Sequence, residues 1–407
     1  MKTGLIILII FCSVSSVFGG DATGFAWNRI ISAGYDSYTQ TYPLADSDTT
    51  ETISENEIKI TLLGKTKGRQ RHNFRVKPVF TVGTETYRTE LEAGWRFKPD
   101  STITVSRIHC RWTGTKYRED SSYNLSSDYS NFEFKGYQKL VKDFQLRGNY
   151  RRADYANSST LEQSYADFDA GLYVQKGDIL ESMKRFGVIV GGRSYPDSSE
   201  VNRTTLGWET VYDNGALFGS TVRFYSRGER RWISNSNIKP SSWNSWNSFE
   251  TALLVDEYKV CLELDNDIWI YDEETSVWNN QFRTGTDLYL KNSRFDGPQF
   301  RAGIASEFLV TSELSQESYK QSGAKAGVDY FGDKLTVSGS LEIGRRVYEV
   351  EDLYSDFNYY EIWIMSTLYL SQNLSLDVMT NYIPENHSNE IDDQSLGFGS
   401  FQLVYHF

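Results

Sequence analysis

Apolar and polar residues alternate along most of this chain with a period of two. In one segment Leu335, Val337, Leu341 and Ile343 are separated by Thr, Ser and Glu residues, and the same spacing recurs in many other segments. A helix would place both sets of residues on overlapping faces, whereas a strand separates them onto opposite faces. The pattern therefore predicts β-strands from about position 29 to the last residue.

The predicted strands are longer than those of most globular proteins, and the links between them alternate in length. Many segments run for roughly 10 to 14 residues, longer than the usual globular strand of about 5 or 6. A tilted strand needs about 9 to 11 residues to cross a hydrocarbon layer. Short turn sequences occur at 98–101, 213–215, 332–334 and 371–373. Longer polar links are predicted at 116–127, 157–163, 227–245, 272–280, 350–356 and 384–395. Short turns on one side and long loops on the other are typical of transmembrane barrels.

The runs between these links predict about 20 strands, with 18 as the main alternative because the first hairpins are least distinct. In lipid every backbone N–H and C=O group must be paired within the protein, so the sheet must close on itself. We therefore predict an all-β fold, a closed antiparallel up-and-down transmembrane β-barrel. A soluble sandwich, propeller or β-helix is the alternative, although no motif recurs at the fixed spacing that propeller blades require.

Composition agrees with a barrel whose strands have only one lipid-facing side. Aromatic residues make up 15% of the chain, yet mean hydropathy is −0.50. Mean hydropathy stays low in such barrels because only every second strand residue contacts lipid. The net charge of −12 argues against a nucleic-acid partner. Cys110 and Cys261 are predicted on distant strands, so we expect no disulfide between them.

The first residues have the pattern of an export signal. Lys2 precedes the short apolar run 4–11, and the small polar segment 13–20 follows. The apolar run is too short for a spanning helix, which needs about 20 residues. We therefore predict a signal peptide at 1–20 and a barrel at 21–407. An uncleaved N-terminal anchor and lipidation at Cys12 are the alternatives.

The last strand carries the most specific motif in the chain. Phe401, Leu403, Tyr405 and Phe407 fall on one face, and the sequence stops at the aromatic residue. This segment resembles the C-terminal signal of Gram-negative outer-membrane β-barrel proteins, which the barrel-assembly machinery recognises. The resemblance implies location in the cell outer membrane, with membrane lipid as a partner. No plug or periplasmic module is expected before the first strand, so the chain most resembles simple porins and porin-like barrels.

Charged residues of both signs are predicted on the lumen face. The predicted pore-lining residues are Arg75, Lys77, Glu92, Arg96, Arg107, Glu133, Arg147, Arg151, Asp167, Asp169, Arg223, Glu263, Asp265, Asp287 and Arg301. A barrel of about 20 strands is wide enough to enclose water, in which such charges stay solvated and orient polar solutes. The alternative is that they pair with one another and brace the wall. Basic residues gather on predicted strands 3 to 7 and acidic ones later, which suggests a field across the lumen.

The longest predicted loop combines arginine and tryptophan side chains. It carries Arg227, Arg230 and Arg231 together with Trp232 and Trp243. Such a loop folds inward in some porins, and Arg with Trp binds sugars or carboxylates through forked hydrogen bonds and stacking. The alternative is a solvated external loop with its tryptophans at the membrane surface.

The sequence predicts no enzyme, cofactor or metal site. The adjacent His387 and Ser388 are the only hydrolase candidates, and no metal-binding spacing such as HExxH or CxxC occurs. We therefore expect a channel for passive diffusion of small polar or charged solutes. The alternative is a non-conducting structural or interaction barrel, such as a surface receptor or a sheath for a partner protein. A homo-oligomer is compatible with either function.

Overall fold

The computed structural model describes most of the barrel predicted from the sequence. The described residues are 25–44, 47–66, 71–98, 106–118, 128–141, 143–156, 164–177, 182–214, 220–235, 237–275, 277–292, 297–312, 317–350, 355–389 and 392–407. The predicted signal peptide, 1–20, lies outside these residues and remains a prediction.

Twenty strands form one antiparallel sheet that closes into a barrel. The strands are β1 Phe25–Leu44, β2 Ser47–Thr66, β3 His72–Gly83, β4 Thr86–Phe97, β5 Ser106–Tyr117, β6 Tyr129–Lys139, β7 Phe144–Tyr155, β8 Tyr165–Lys176, β9 Met183–Ser194, β10 Arg203–Asp213, β11 Thr221–Ile233, β12 Ser242–Val255, β13 Tyr258–Tyr271, β14 Gln281–Asn292, β15 Gln299–Thr311, β16 Tyr319–Phe331, β17 Leu335–Tyr348, β18 Phe357–Tyr369, β19 Leu374–His387 and β20 Gln394–His406. Each strand pairs with its neighbours in sequence, and β1 pairs with β20. The predicted fold class and the count of 20 strands are confirmed.

The wall has an apolar outer face and a polar inner face. On β8, Phe168 and Leu172 point outward and are 56% and 51% exposed. Asp169 and Tyr173 lie at the alternate positions, and Asp169 lines a recess of the inner wall. A continuous belt of exposed Leu, Val, Ile and Phe side chains would be costly in water, so this face is built to contact lipid.

The connections form two rims. The chain enters β1 and leaves β20 at the same rim, because Ile30 pairs with His406. The predicted short turns lie at this rim, which we call the terminal rim, and the predicted long links lie at the opposite loop rim. One terminal-rim turn contains only two residues, of which Asp256 has a φ of 54°. Asp tolerates this left-handed conformation better than a β-branched residue does.

Two predicted boundaries were wrong, both near the loop rim. Much of the predicted loop 227–245 is strand, because β11 continues to Ile233 and β12 begins at Ser242. Similarly, β19 continues to His387 within the predicted loop 384–395. The ladder of backbone hydrogen bonds continues at these ends, where polar residues occupy both faces and obscure the alternation.

Other features of the described residues are few. A 3₁₀ turn lies at Ser199–Val201, and no helix among the described residues is long and apolar enough to span a bilayer. Cys110 and Cys261 are both free thiols, on β5 and β13.

Candidate functional site: the charged inner wall

The strand register places all the predicted pore-lining residues on the inner face. Each is paired across the ladder with residues of the same face, so one known position fixes the orientation of its neighbours. Arg151, for example, lies opposite Glu133 on one side and Asp167 on the other. The structure therefore brings these charges together around one lumen surface. Their role in permeation remains a prediction.

The inner face of β5–β11 is dominated by cations, and we call it the basic arc. Its described cations include Arg107, Lys135, Arg147, Arg151, Arg185, Arg193, Arg203, Arg223, Arg227 and Arg231. They outnumber the inward carboxylates of the same strands, and several line a recess of about 780 Å³. The arc therefore presents net positive charge to the lumen.

Tyrosine rings hold several of these arginines against the wall. The guanidinium carbon of Arg147 lies 4.8 Å from the centroid of Tyr173 and 5.7 Å from that of Tyr137. Arg147 also donates a hydrogen bond of 2.9 Å to the side-chain oxygen of Gln145. Arg107 lies 5.4 Å from the Tyr137 ring. Cation–π contacts thus position arginines that have no carboxylate directly bonded to them.

Carboxylates neutralise part of the basic arc. Arg193 donates to Asp167 with an Nε–Oδ1 distance of 2.8 Å, and Arg203 approaches the same carboxylate at 3.7 Å. Arg185 donates to Glu209 at 2.5 Å. Because Asp167 is shared between two arginines, the positive charge there is only partly compensated.

The inner face of β12–β17 has the opposite character, and we call it the acidic arc. Its described carboxylates include Glu250, Glu263, Asp265, Asp267, Asp287, Glu307, Asp329 and Glu342. Many of these residues line a second recess of about 420 Å³. Here carboxylates outnumber the inward cations, so the acidic arc presents net negative charge.

Lysine and arginine bridge some of the carboxylates in the acidic arc. The Lys325 ammonium lies 2.8 Å from Asp287 and 3.2 Å from Glu342. Arg283 donates to Glu307 at 2.6 Å. Within the described chain, neither Asp265 nor Asp267 forms a side-chain hydrogen bond or an ion pair. These two carboxylates remain open to solutes in the lumen.

The predicted arginine–tryptophan loop is divided between the two faces of the wall. Arg227 and Arg231 point inward on β11, whereas Arg230, Trp232 and Trp243 point outward. The prediction that these five residues belong to one loop was therefore wrong, because they lie on regular strands that fix alternate residues on opposite sides.

A row of inward aromatic residues near the loop rim was missed in the sequence. Trp246 and Trp269 meet edge to face with ring centroids 5.9 Å apart, and Tyr271 and Trp278 continue the row. Arg231 lies over both Trp246 and Trp269, at 5.5 and 4.9 Å. Trp246, Trp269 and Tyr271 lie within the predicted strands, and their shared lumen-facing parity was the signal in the sequence that could have revealed the row.

His387 contacts a different serine from the one predicted. Its Nδ1 lies 2.8 Å from the hydroxyl of Ser355, and its Nε2 lies 3.3 Å from Glu385. The Ser355 hydroxyl donates its proton to Asp392 at 2.7 Å. A hydroxyl whose proton is bound by a carboxylate is not arranged for transfer of that proton to the imidazole. His387 and Ser388, the only hydrolase candidates in the sequence, do not form a nucleophile–base unit, because the His387 ring nitrogens face Ser355 and Glu385 instead.

No group of three or more His, Cys, Asp or Glu side chains within the described residues is arranged to bind a metal ion.

The predicted assembly-signal residues lie at the seam between the first and last strands. Phe401, Leu403 and Tyr405 are 50%, 43% and 39% exposed on the outer face of β20. Phe407 follows the strand, and its backbone N–H donates to the Arg29 carbonyl at 2.9 Å. Recognition of this segment by the barrel-assembly machinery remains a prediction.

Comparison with known proteins shows similarity of fold without similarity of sequence. No protein-family model matches the sequence, and no curated protein matches it. The solved structure of the copper transporter OprC aligns over 94% of this chain and 81% of that chain, at 8% identity and a TM-score of 0.58. The ferric enterobactin receptor PfeA of Pseudomonas aeruginosa, solved as a mutant, aligns over 92% and 80% respectively, at 8% identity and 0.56.

A third solved structure gives the same result. The siderophore receptor PirA of Acinetobacter baumannii aligns over 92% of this chain and 80% of that chain, at 6% identity and a TM-score of 0.56. The names of these three proteins describe transporters and receptors rather than enzymes. The closed wall, its apolar outer belt and these alignments define the fold of this chain as a closed, antiparallel transmembrane β-barrel.

Proposed function

We propose that this barrel is a porin-like channel through which small polar or charged solutes diffuse passively across the outer membrane. The observation that carries the proposal is the separation of charge on the inner wall, with the basic arc on β5–β11 and the acidic arc on β12–β17. Solvated charges of both signs suit a water-filled lumen, whereas a packed interior would require each charge to be paired.

The mechanism follows from the field between the arcs. An ion or dipole entering the lumen is oriented with its positive end toward the acidic arc and its negative end toward the basic arc. Water screens each contact, so binding stays weak enough for release. Passage needs no cofactor, and the gradient of the solute drives net flow.

Conductance of the purified barrel tests this proposal. The protein is reconstituted in planar lipid bilayers, in a background in which Cys110→Ser and Cys261→Ser remove the native thiols. Single cysteines are then introduced by Arg107→Cys on the inner face and by Leu172→Cys on the outer face. We expect stable unitary currents, and a charged thiol reagent should reduce them only in the Arg107→Cys protein.

The alternative function predicts a different outcome of the same experiment. A barrel that folds and inserts but never conducts would overturn the channel and favour a structural or interaction barrel. Equal reagent effects at the two cysteines would show that the current does not pass along the inner wall.

A further inference from the structure

Four aromatic rings and two cations lie together near the loop rim, and we call them the aromatic–cation cluster. Its members are Trp246, Trp269, Tyr271, Trp278, Arg231 and Lys239. Successive ring centroids from Trp246 to Trp278 are 5.9, 6.4 and 5.9 Å apart. Trp246, Trp269 and Tyr271 belong to the inner face, since they pair with inward residues of neighbouring strands. The rings therefore form a row along the entrance to the lumen.

The cluster is held by a buried polar residue. Asn244 is fully buried, and its side-chain oxygen, in the orientation that satisfies both amide atoms, accepts from Arg231 Nε at 2.8 Å and Nη1 at 2.9 Å. Glu229 accepts a second bond from the Arg231 guanidinium. Arg231 is thus fixed against the rings before any ligand arrives, which reduces the ordering cost of binding.

Positive charge gathers beside the rings. The Lys239 ammonium lies 4.1 Å from the centroid of Trp278, and no described carboxylate lies within ion-pair distance of it. Burial, followed by the charges of Arg203, Arg231 and Arg193, lowers the pKa of Lys239. The cations are therefore close enough to repel one another, and an anion placed among them would be attracted.

Arg203 is a second observation that indicates a binding position for an anion. Its Nε is buried and has no hydrogen-bond partner among the described residues, and its ion pair with Asp167 is long at 3.7 Å. A buried N–H donor without an acceptor is destabilising. A bound carboxylate or a water molecule in this position would remove that destabilisation.

Groups that bind hydroxyls flank the same row. Asp267, whose carboxylate is unpaired, lies opposite Trp246 in the register, and Gln281 lies opposite Trp269. A flat aromatic acid would contact the aromatic rings and the cations, but it has no hydroxyl groups to bind Asp267 or Gln281. A sugar uses its ring face, its hydroxyls and its carboxylate together.

We propose that the aromatic–cation cluster binds an acidic saccharide, with sugar rings stacked on the tryptophans and a carboxylate held by Lys239, Arg231 and Arg203. The inference rests on the proposed channel only because the solute must reach the inner face. Binding itself requires no conduction, so the two proposals can fail separately.

Calorimetric titration of the folded protein with digalacturonate tests the inference. Maltose serves as the neutral disaccharide, and benzoate as the aromatic acid. We expect digalacturonate to bind at low salt and maltose to bind at least about tenfold more weakly, because maltose lacks the carboxylate that forms the charge-assisted contact. Raising the salt to 1 M should weaken digalacturonate binding, because the charges are then screened.

Variants locate the site. Lys239→Gln lies in a link outside the strands and should weaken digalacturonate binding about fivefold or more, as should Trp278→Leu. The matched control is Lys184→Gln, because Lys184 also lies over an aromatic ring, that of Tyr212 at 5.6 Å, but faces outward. Lys184→Gln should bind as the wild type does.

Each other outcome overturns a stated part of the inference. Equal binding of maltose removes the anion requirement, and binding of benzoate as tight as that of digalacturonate removes the sugar. A conducting barrel that binds none of the three probes refutes the saccharide site and leaves the channel intact. Specific digalacturonate binding by a barrel that never conducts supports the site and overturns the channel.

Discussion

Tyr173 in the basic arc and Tyr359 on β18, beside the acidic arc, are 5% and 7% exposed, although both lie on the inner face of the wall. Each ring covers a glycine on an adjacent strand. A Cβ atom at Gly187 would lie 2.1 Å from Tyr173 Cδ1, and one at Gly344 would lie 2.5 Å from the Tyr359 hydroxyl. The two arcs thus use the same packing, in which a missing side chain lets a tyrosine lie flat on the sheet.

The partners of the two tyrosines differ in charge. Tyr173 offers its ring face to the Arg147 guanidinium, whereas the Tyr359 hydroxyl donates to Glu342 at 2.5 Å. The negative face of an aromatic ring attracts cations, and a phenolic O–H is a donor to carboxylates. The comparison shows how one residue type stabilises either sign of charge, depending on which part of the side chain faces the partner.

The largest expected effect tests whether the outer face behind the two arcs is one environment. Leu172→Arg on β8, behind the basic arc, and Leu341→Arg on β17, behind the acidic arc, both place a charge on the outer face near mid-strand. Each should lower the free energy of unfolding by about 2–4 kcal/mol. Ser340→Arg, one residue away but inward, should cost little. Urea titration of protein folded in lipid vesicles measures all three, and equal costs for Leu341→Arg and Ser340→Arg would contradict the assigned faces.

The next effect concerns the shared packing of the tyrosines. Gly187→Val and Gly344→Val should each destabilise the barrel by about 1–3 kcal/mol, because the new side chain overlaps the tyrosine. Gly285→Val is the control, since nothing lies within 4 Å of a Cβ atom at that position. The same urea titration applies. A cost in only one arc would show that the packing is not equivalent.

Reversing the charge of one residue in each arc tests the difference in charge between the two arcs. Arg107→Glu and Asp265→Lys change exposed inner residues, so neither should disturb the fold. In water a unit charge about 4 Å from an ion contributes about 1 kcal/mol, which corresponds to roughly a fivefold change in the cation-to-anion permeability ratio. Arg107→Glu should raise that ratio and Asp265→Lys should lower it. Reversal potentials at low salt measure the ratio, and shifts in the same direction would contradict a transverse field.

The smallest effect concerns an ion pair on the outer face, where Arg230 of β11 meets Asp272 after β13. Arg230 on β11 donates to Asp272, just after β13, with one Nη1–Oδ1 distance of 2.7 Å. The hydrogen bond from Arg230 lowers the pKa of the Asp272 carboxyl. The contribution is therefore present above the unfolded pKa of about 3.9 and is lost as pH falls through the folded value.

Asp272→Asn should therefore cost less than about 1 kcal/mol at neutral pH, because the pair is exposed to solvent. At about pH 2 the variant and the wild type should differ less in their free energy of unfolding, since protonation of the wild-type carboxyl weakens its pairing with Arg230. Urea titrations at both pH values provide the test. A cost that persists at low pH would assign the effect to packing rather than to charge.

Alternation along the sequence was enough to predict the number of strands and the face of each strand interior. Leu341 and Ser340 illustrate this, because strict alternation leaves only one assignment when one face is apolar. The ends of β11 and β12 were not predictable in this way. Near the loop rim both faces contact water or other protein groups, so Arg230 and Arg231 are equally polar although they point in opposite directions.

Contacts between residues on different strands could not be predicted from the sequence for a different reason. Tyr173 and Gly187 meet only because the register between β8 and β9 places them opposite each other. The aromatic–cation cluster likewise combines β11, β12, β13 and their links. Alternation assigns a residue to a face but does not give its neighbour, which depends on the stagger between strands.

The seam between β1 and β20 has a consequence for assembly. All other pairings join strands adjacent in sequence, whereas this one brings Ile30 to His406. Loop-closure entropy makes it more costly than a short hairpin by about 4 kcal/mol, so we expect it to form last. Until then the curled sheet has two unpaired edges, which lipid cannot satisfy. The final strand therefore completes the closure of the barrel. A factor that binds the edge of β20 during insertion determines when the barrel closes.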